Sequence, residues 1–150
     1  MLDIKFESVE NKKNECETRL PERKTAQSAG YDFFLPYDVE IMPGESSDII
    51  FTDVKVRLPG NFFLSIHIRS SLGFKHGLRL ANVTGIIDAD YYNNHDNEGN
   101  IGIKIHNDGK DPVKLQAGDR FAQGIISRYY TAIDDENTED RVGGFGSTGK

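Results

Sequence analysis

Two aspartates, Asp88 and Asp90, close the stretch Gly85-Ile86-Ile87-Asp88-Ala89-Asp90-Tyr91, with a β-branched pair before them and an aromatic ring directly after. In an extended segment such a pair projects to one face. That face can hold a metal, orient a water or meet a sugar. The same residue types at a strand end are also ordinary turn formers, so the case for chemistry rests on what the rest of the chain supplies.

Several other stretches are equipped for anions. Ile68-Arg69-Ser70-Ser71-Leu72-Gly73 leaves a strand and enters a helix start, where backbone N–H groups and hydroxyls favour phosphate oxygens. In Gly118-Asp119-Arg120-Phe121-Ala122-Gln123-Gly124-Ile125-Ile126, Arg120 and Gln123 fall near the start of a strand, and Gly124 within it signals a bulge or the close approach of another group. Asp32 is held between the aromatics Tyr31 and Phe33. The tail from Arg141 to Lys150 is glycine-rich, with Ser147 and Thr148 as hydroxyl donors and Arg141 as a charged fork. Gly144 to Lys150 imitates a nucleotide-triphosphatase phosphate loop, but the metal-binding hydroxyl and the helix that should follow are not in the sequence, so that assignment is rejected. His67, His76, His95 and His106 show no metal-ligand spacing and read as structural or exposed.

Composition limits the possibilities. At 150 residues and 37% hydrophobic content the chain suits one globular domain with one core. A net charge of −6 with pI near 5.2 excludes a nonspecific grip on nucleic acid, so bound phosphate must be met by a few placed side chains, backbone donors or a metal. Cys16, the one cysteine, lies between two glutamates and excludes both an internal disulfide and a cysteine-based metal framework. No leader and no run near the roughly 18 apolar residues of a membrane span appear, so a cytoplasmic protein without membrane contact is expected.

The elements that must position these residues are strands. Leu2, Ile4 and Phe6 alternate with charges; Tyr31 to Leu35 form a strand stopped by Pro36; Val39 and Ile41 lead into the Pro43-Gly44 turn. Val54, Val56 and Leu58 precede the Pro59-Gly60 turn, and Phe62, Leu64, Ile66 and Ile68 continue the period of two. Ile101, Ile103 and Ile105, then Val113 and Leu115, then Arg120 to Tyr130 complete the set. One short helix is expected over Ser71 to Lys75, capped by Ser70 or Ser71. The pattern is all-β: a jelly-roll-like barrel or sandwich of short strands spanning 1–133, followed by an acidic linker 134–140 and a mobile lid segment 141–150.

Five blocks in order, Ala29-Gly30-Tyr31-Asp32, Arg69 to Gly73, Gly85 to Tyr91, Gly118 to Gln123 and Gly143 to Gly149, give the chain a resemblance to homotrimeric-type dUTPases. The resemblance covers nearly the whole chain, which resembles bacterial or phage members. It implies a jelly-roll trimer with shared active sites, hydrolysing Mg²⁺-bound dUTP to dUMP and pyrophosphate, limiting uracil in DNA and supplying dUMP for thymidylate synthesis. Carried over by position, Asp88 would orient and deprotonate the attacking water, Tyr91 would pack on the deoxyribose, and Asn82 with the backbone of Gly85, Ile86 and Ile87 would read the uracil edge. Arg69, Ser70, Ser71 and Gln123 would hold phosphates; Asp32 would act on Mg²⁺ through its water shell; Asp90 and Arg120 would support the site. Phe145 would lie over the uracil, with Arg141, Gly146, Ser147 and Thr148 closing on the outer phosphates.

The chain departs from the family pattern where Tyr92 to Glu98 lengthen the loop after Tyr91, where Arg141 stands one residue closer to Phe145, and where Gly124 replaces a larger apolar residue. Two alternatives come from the same resemblance. In a dCTP deaminase the central block would read differently after its Ile-Asp, and the family's catalytic Glu is not placed in this sequence. A phage-derived member would also bind a regulatory protein, for which the 92–98 loop is the natural contact surface.

Overall fold

A computed structural model describes residues 2–138, 141, 143 and 144. Short strands dominate, because β-branched and aromatic residues alternate with polar ones and Gly or Pro turns interrupt them every few residues. The central sheet has four strands. In spatial order they are β2 (Gly30–Phe34), β12 (Arg120–Arg128), β6 (Phe62–Ile68) and β8 (Gly85–Asp88), and every neighbouring pair is antiparallel. Four two-stranded ribbons pack around it. β1 (Lys5–Ser8) pairs with β5 (Val54–Arg57), β3 (Val39–Ile41) with β11 (Val113–Leu115), β4 (Ile50–Phe51) with β9 (Gly102–Ile103), and β7 (Leu78–Leu80) with β10 (Ile105–Asn107). The sheets do not close into a barrel; the arrangement is a jelly-roll-like sandwich of ribbons on one sheet.

The core is aliphatic, with Phe33, Leu64, Ile66, Ile101, Ile105 and Phe121 almost wholly removed from water. Gly124 of β12 faces it at close quarters: a Cβ there would stand 2.8 Å from Leu64 Cδ1 and 3.1 Å from Phe33 Cε2. The glycine therefore marks a close approach. The register irregularity of β12 lies earlier, between Arg120 and Ala122.

Two expectations are corrected. Leu2 is exposed and the first strand begins only at Lys5. Lys55 on β5 is buried because the 92–98 loop covers it and Asn93 Oδ1 accepts from its Nζ at 2.6 Å. The helix α1 spans Ser70–His76, with Arg69 in the capping position and no side-chain cap bond, so Ser70 and Ser71 belong to its first turn. Gly77, at φ 67°, ends it in the left-handed conformation that glycine adopts without strain. Among the described residues no helix is long and apolar enough to cross a membrane.

Candidate active site

The segment from β7 through the connecting loop to β8 forms one wall of a cleft of about 640 Å³, and Asn82, Gly85, Ile86, Ile87 and Tyr91 line it together with Lys104 and Arg141. Gly85 lets β8 lie close on β6, since a Cβ would stand 3.1 Å from Ile66 Cβ. Val83 in the connecting loop has φ 65°, an unfavourable backbone setting for a β-branched residue, and its amide bonds to Leu80 O at 3.0 Å. Arg79 stiffens the approach: Nη1 donates to Leu80 O and Ala81 O at 3.2 and 3.3 Å, and Nε pairs with Asp108. The loop carrying Asn82 is thus held by backbone and guanidinium bonds while Asn82 itself stays exposed.

β8 ends at Asp88, and Ala89–Tyr91 form a single 3-10 turn. The extended geometry expected through Asp90 therefore stops at Asp88. The two carboxylates still converge, because Arg141 forks across them: Nη2 reaches Asp88 Oδ2 at 2.6 Å and Nε reaches Asp90 Oδ1 at 2.9 Å. Its guanidinium carbon lies 5.8 Å from the centre of the Tyr91 ring.

Tyr91 is buried, and its hydroxyl donates to Asn100 O at 2.9 Å and accepts from Asn97 Nδ2 at 2.8 Å. Burial pushes the phenol above its usual pKa, partly offset by the Asn97 bond and the Arg141 charge. The ring is consequently a neutral, fixed surface at the cleft. The 92–98 loop is built around that fixation. Buried Asn94 donates to Tyr91 O and to Asn97 Oδ1, and its own Oδ1 accepts from the amides of Asp96 and Asn97. Gly99 follows at φ 82°, where a Cβ would strike Tyr91 O at 2.7 Å. Glu98 ties the far side down by accepting from the amides of Glu10 and Asn11 and from the Asn11 side chain. The lengthened loop is a bonded brace behind Tyr91, with His95 and Asp96 its outward-facing residues.

A second cluster gathers around Asp32, whose side chain is 10% exposed. Arg69 Nε meets Oδ1 at 3.3 Å and Arg120 Nη1 meets Oδ2 at 3.0 Å. Gln123 is the register partner of Asp32 on one side and of His67 on the other, and its Oε1 lies where a Cβ on Gly30 would have to go, 2.5 Å away. Exposed Ser70 and Ser71 follow Arg69 at the start of α1. Two guanidiniums, two hydroxyls and an amide are suited to a phosphate chain. A resident divalent cation is not what this donor set fits, because both oxygens of Asp32 are engaged by arginines and no cluster of three metal-ligating side chains exists among the described residues.

The structure thus divides the sequence-predicted residues into two sets. Asn82, Gly85, Ile86, Ile87, Tyr91 and Arg141 line the cleft, with Asp88 and Asp90 joined to it through Arg141; Asp32, Arg69, Ser70, Ser71, Arg120 and Gln123 gather toward the other end of the sheet. Phe145, Gly146, Ser147 and Thr148 lie outside the described residues. Arg141 is found on the Asp88 and Asp90 carboxylates, a pairing the phosphate expectation did not include. Sequence reasoning also missed Arg79, Asn97 and Asn100, whose roles depend on contacts across the fold that no local spacing signals.

An all-β sandwich that keeps a carboxylate-bearing cleft at one sheet end and an arginine-rich anion cluster at the other defines a jelly-roll protein equipped for a polyphosphate ligand. A sequence model of the dUTPase family matches residues 17–149. The deoxyuridine 5′-triphosphate nucleotidohydrolase of Lactococcus lactis is 41% identical over 146 residues, covering 96% of each chain. The dUTPase of Streptococcus mutans superposes with a TM-score of 0.75 at 37% identity, over 85% of this chain and 97% of that one. A dUTPase of phage phi11 of Staphylococcus aureus, in which coordination of a structural Mg(II) ion is described, gives a TM-score of 0.69 at 26% identity over 91% and 97%. This chain belongs to the dUTPase family.

Proposed function

We propose that this chain hydrolyses dUTP to dUMP and pyrophosphate, with Asp88 as the general base. The observation that carries the reading is the position of Asp88: it ends the strand whose first three residues and preceding loop wall the cleft, directly before the buried Tyr91. A nucleoside seated there would have Asn82 and the backbone of Gly85 to Ile87 against the uracil edge and the Tyr91 ring against its sugar. That places the α-phosphate near the Asp88 carboxylate. A water on Asp88 attacks the α-phosphorus, its proton passes to the carboxylate, and the bond to the bridging oxygen of the β-phosphate breaks to release pyrophosphate. Phosphoryl transfer of this kind depends on positioning and charge neutralisation, and a placed base contributes roughly 10²–10⁴ in rate.

Arg69, Ser70, Ser71 and Gln123 are proposed to hold the phosphates, Arg120 to support them, and Asp32 to orient the arginine pair. Mg²⁺ arrives with the triphosphate and would neutralise its charge; Asp32 would act on it only through water, in keeping with the preference of this ion for phosphate and water ligands. Asp88 and Arg69 are too far apart along β6 to serve one nucleotide within one chain, which supports a homotrimer whose sites are shared between subunits. The tail, with Phe145 over the base and Gly146, Ser147 and Thr148 on the outer phosphates, would complete the enclosure.

Purified protein incubated with Mg²⁺ and separately with dUTP, dCTP, dTTP and UTP tests the reading. Pyrophosphate from dUTP alone is expected. Ammonia from dCTP, or equal hydrolysis of UTP, would overturn it.

A further inference from the structure

The tail has a seat on its own chain. Arg141 bridges Asp88 and Asp90 and is 13% exposed in doing so. Gly143 is buried, and the Gly144 amide donates to Asp96 Oδ2 at 3.0 Å. Gly144 lies so close to the loop that a Cβ would stand 3.1 Å from Tyr91 Cε2 and 3.5 Å from Asn97 Nδ2. Two tail positions, Arg141 and Gly144, thus meet five residues of one surface, made by the end of β8, the 3-10 turn and the lengthened loop, with buried Gly143 between them.

Topology makes this seat easy to reach. β12 ends with Arg128 opposite Phe62, and Asp88 ends β8 opposite Phe63 on the other side of β6. The root of the tail is therefore two interstrand spacings, about 10 Å, from Asp88. Residues 129–140, extended, would span about 40 Å. The chain has ample length to return to its own carboxylates without strain.

The seat also competes with the reaction. The Arg141 guanidinium at 2.6 Å from Asp88 Oδ2 occupies one of the positions from which that carboxylate would orient an attacking water. A guanidinium shared between two half-exposed carboxylates is held weakly, and a triphosphate offers it more acceptors at higher charge. From these points we propose that the 92–98 loop is a cradle in which Arg141, Gly143 and Gly144 of the same chain park, that Asp96 is the positioning residue which receives Gly144, and that the parked Arg141 masks Asp88 until nucleotide phosphates draw the guanidinium away. The masking rests on Asp88 acting as base; the cradle does not.

A cross-link tests the cradle without any activity measurement. In a Cys16→Ser background, Asn97→Cys with Gly144→Cys is expected to form on mild oxidation a disulfide within one chain, migrating as a monomer on a non-reducing denaturing gel. Saturating Mg²⁺ and an α,β-imido analogue of dUTP are expected to slow its formation at least fivefold. A predominant dimer band, or a rate indifferent to the analogue, overturns the proposal. Asp96→Ala provides an independent reading in the otherwise unaltered protein. Deuterium uptake at the Gly144 amide is expected to rise, with Asp96→Glu restoring protection, and kcat/KM for dUTP to increase about threefold through a lower KM. Unchanged uptake, or a fall in kcat/KM, overturns it. If the protein does not hydrolyse dUTP at all, the cross-link and the exchange still decide the cradle, and only the masking of a base is lost.

Discussion

Asp88 stands opposite Phe63 near one end of β6, and Arg69 follows Ile68 at the other end of the same strand. Six residues of strand separate the two levels, about 20 Å at ordinary strand rise. A triphosphate with its α-phosphorus at Asp88 cannot also reach the Arg69 cluster of that chain in an ordinary bound pose. In the reading proposed above, a second subunit would bring its arginines to the first subunit's carboxylate. Asp88→Asn and Arg69→Ala proteins, each inactive alone, should therefore complement when unfolded together and reassembled. Random 1:1 mixing should restore about a quarter of wild-type dUTP turnover per site, as expected when each site draws one residue from each of two chains. A mixture as inactive as its parents would place both residues in one chain's site.

Replacing the base alone separates chemistry from binding. Asp88→Asn keeps shape and one acceptor but cannot take a proton, and turnover should fall by roughly 10²–10⁴. Calorimetry with the α,β-imido analogue should show affinity within a few-fold of wild type, because the groups proposed to read uracil and hold phosphates are untouched. Near-normal turnover would remove Asp88 from the role of base.

The strands were legible because their inward residues are β-branched or aromatic at a strict period, as in Ile101, Ile103 and Ile105, all three buried. The anion cluster was legible only as separate stretches. Nothing in the spacing of Asp32, Arg69 and Arg120 says that two arginines fork one carboxylate, since that depends on β2 and β6 flanking β12. The inward bonds of the loop after Tyr91 were not legible for a similar reason. Its spacing does not say that Asn94 and Asn97 spend their amides on Tyr91 and on one another. Gly124 was readable as a close approach but not as an approach to Leu64 and Phe33.

That close approach fixes the sign of a stability change. Gly124→Ala usually gains a little by reducing the freedom of the unfolded chain, but here the new methyl meets Leu64 and Phe33, both buried and unable to withdraw. The variant should lose about 1–3 kcal/mol, the usual cost of overpacking, measured by urea unfolding. Leu64→Val clears the nearest atom, so the double variant should be less destabilised than the sum of the two single changes. Additive losses would mean that the strain arises elsewhere.

The brace behind Tyr91 should weaken in acid. Glu98 is held below its ordinary pKa, first by the Glu10 amide and then by the Asn11 side chain, with further help from the Asn11 amide and Lys55. A carboxylate whose folded pKa is depressed adds stability at pH values above its unfolded pKa, roughly 4.3, and that stability is lost as pH falls through the lower folded value. Glu98→Gln cannot ionise and keeps only one acceptor oxygen. The gap in urea midpoint between wild type and Glu98→Gln should be constant from pH 6 to pH 8 (both values being about two units or more above the titration) and should close as the solution is taken well below pH 4 (about where the carboxylate begins to protonate). Glu7 is lowered too, chiefly by the Tyr92 hydroxyl, so wild type should keep some acid sensitivity even in the Glu98→Gln background. A gap that stays open in acid would mean that the Glu98 bonds do not depend on its charge.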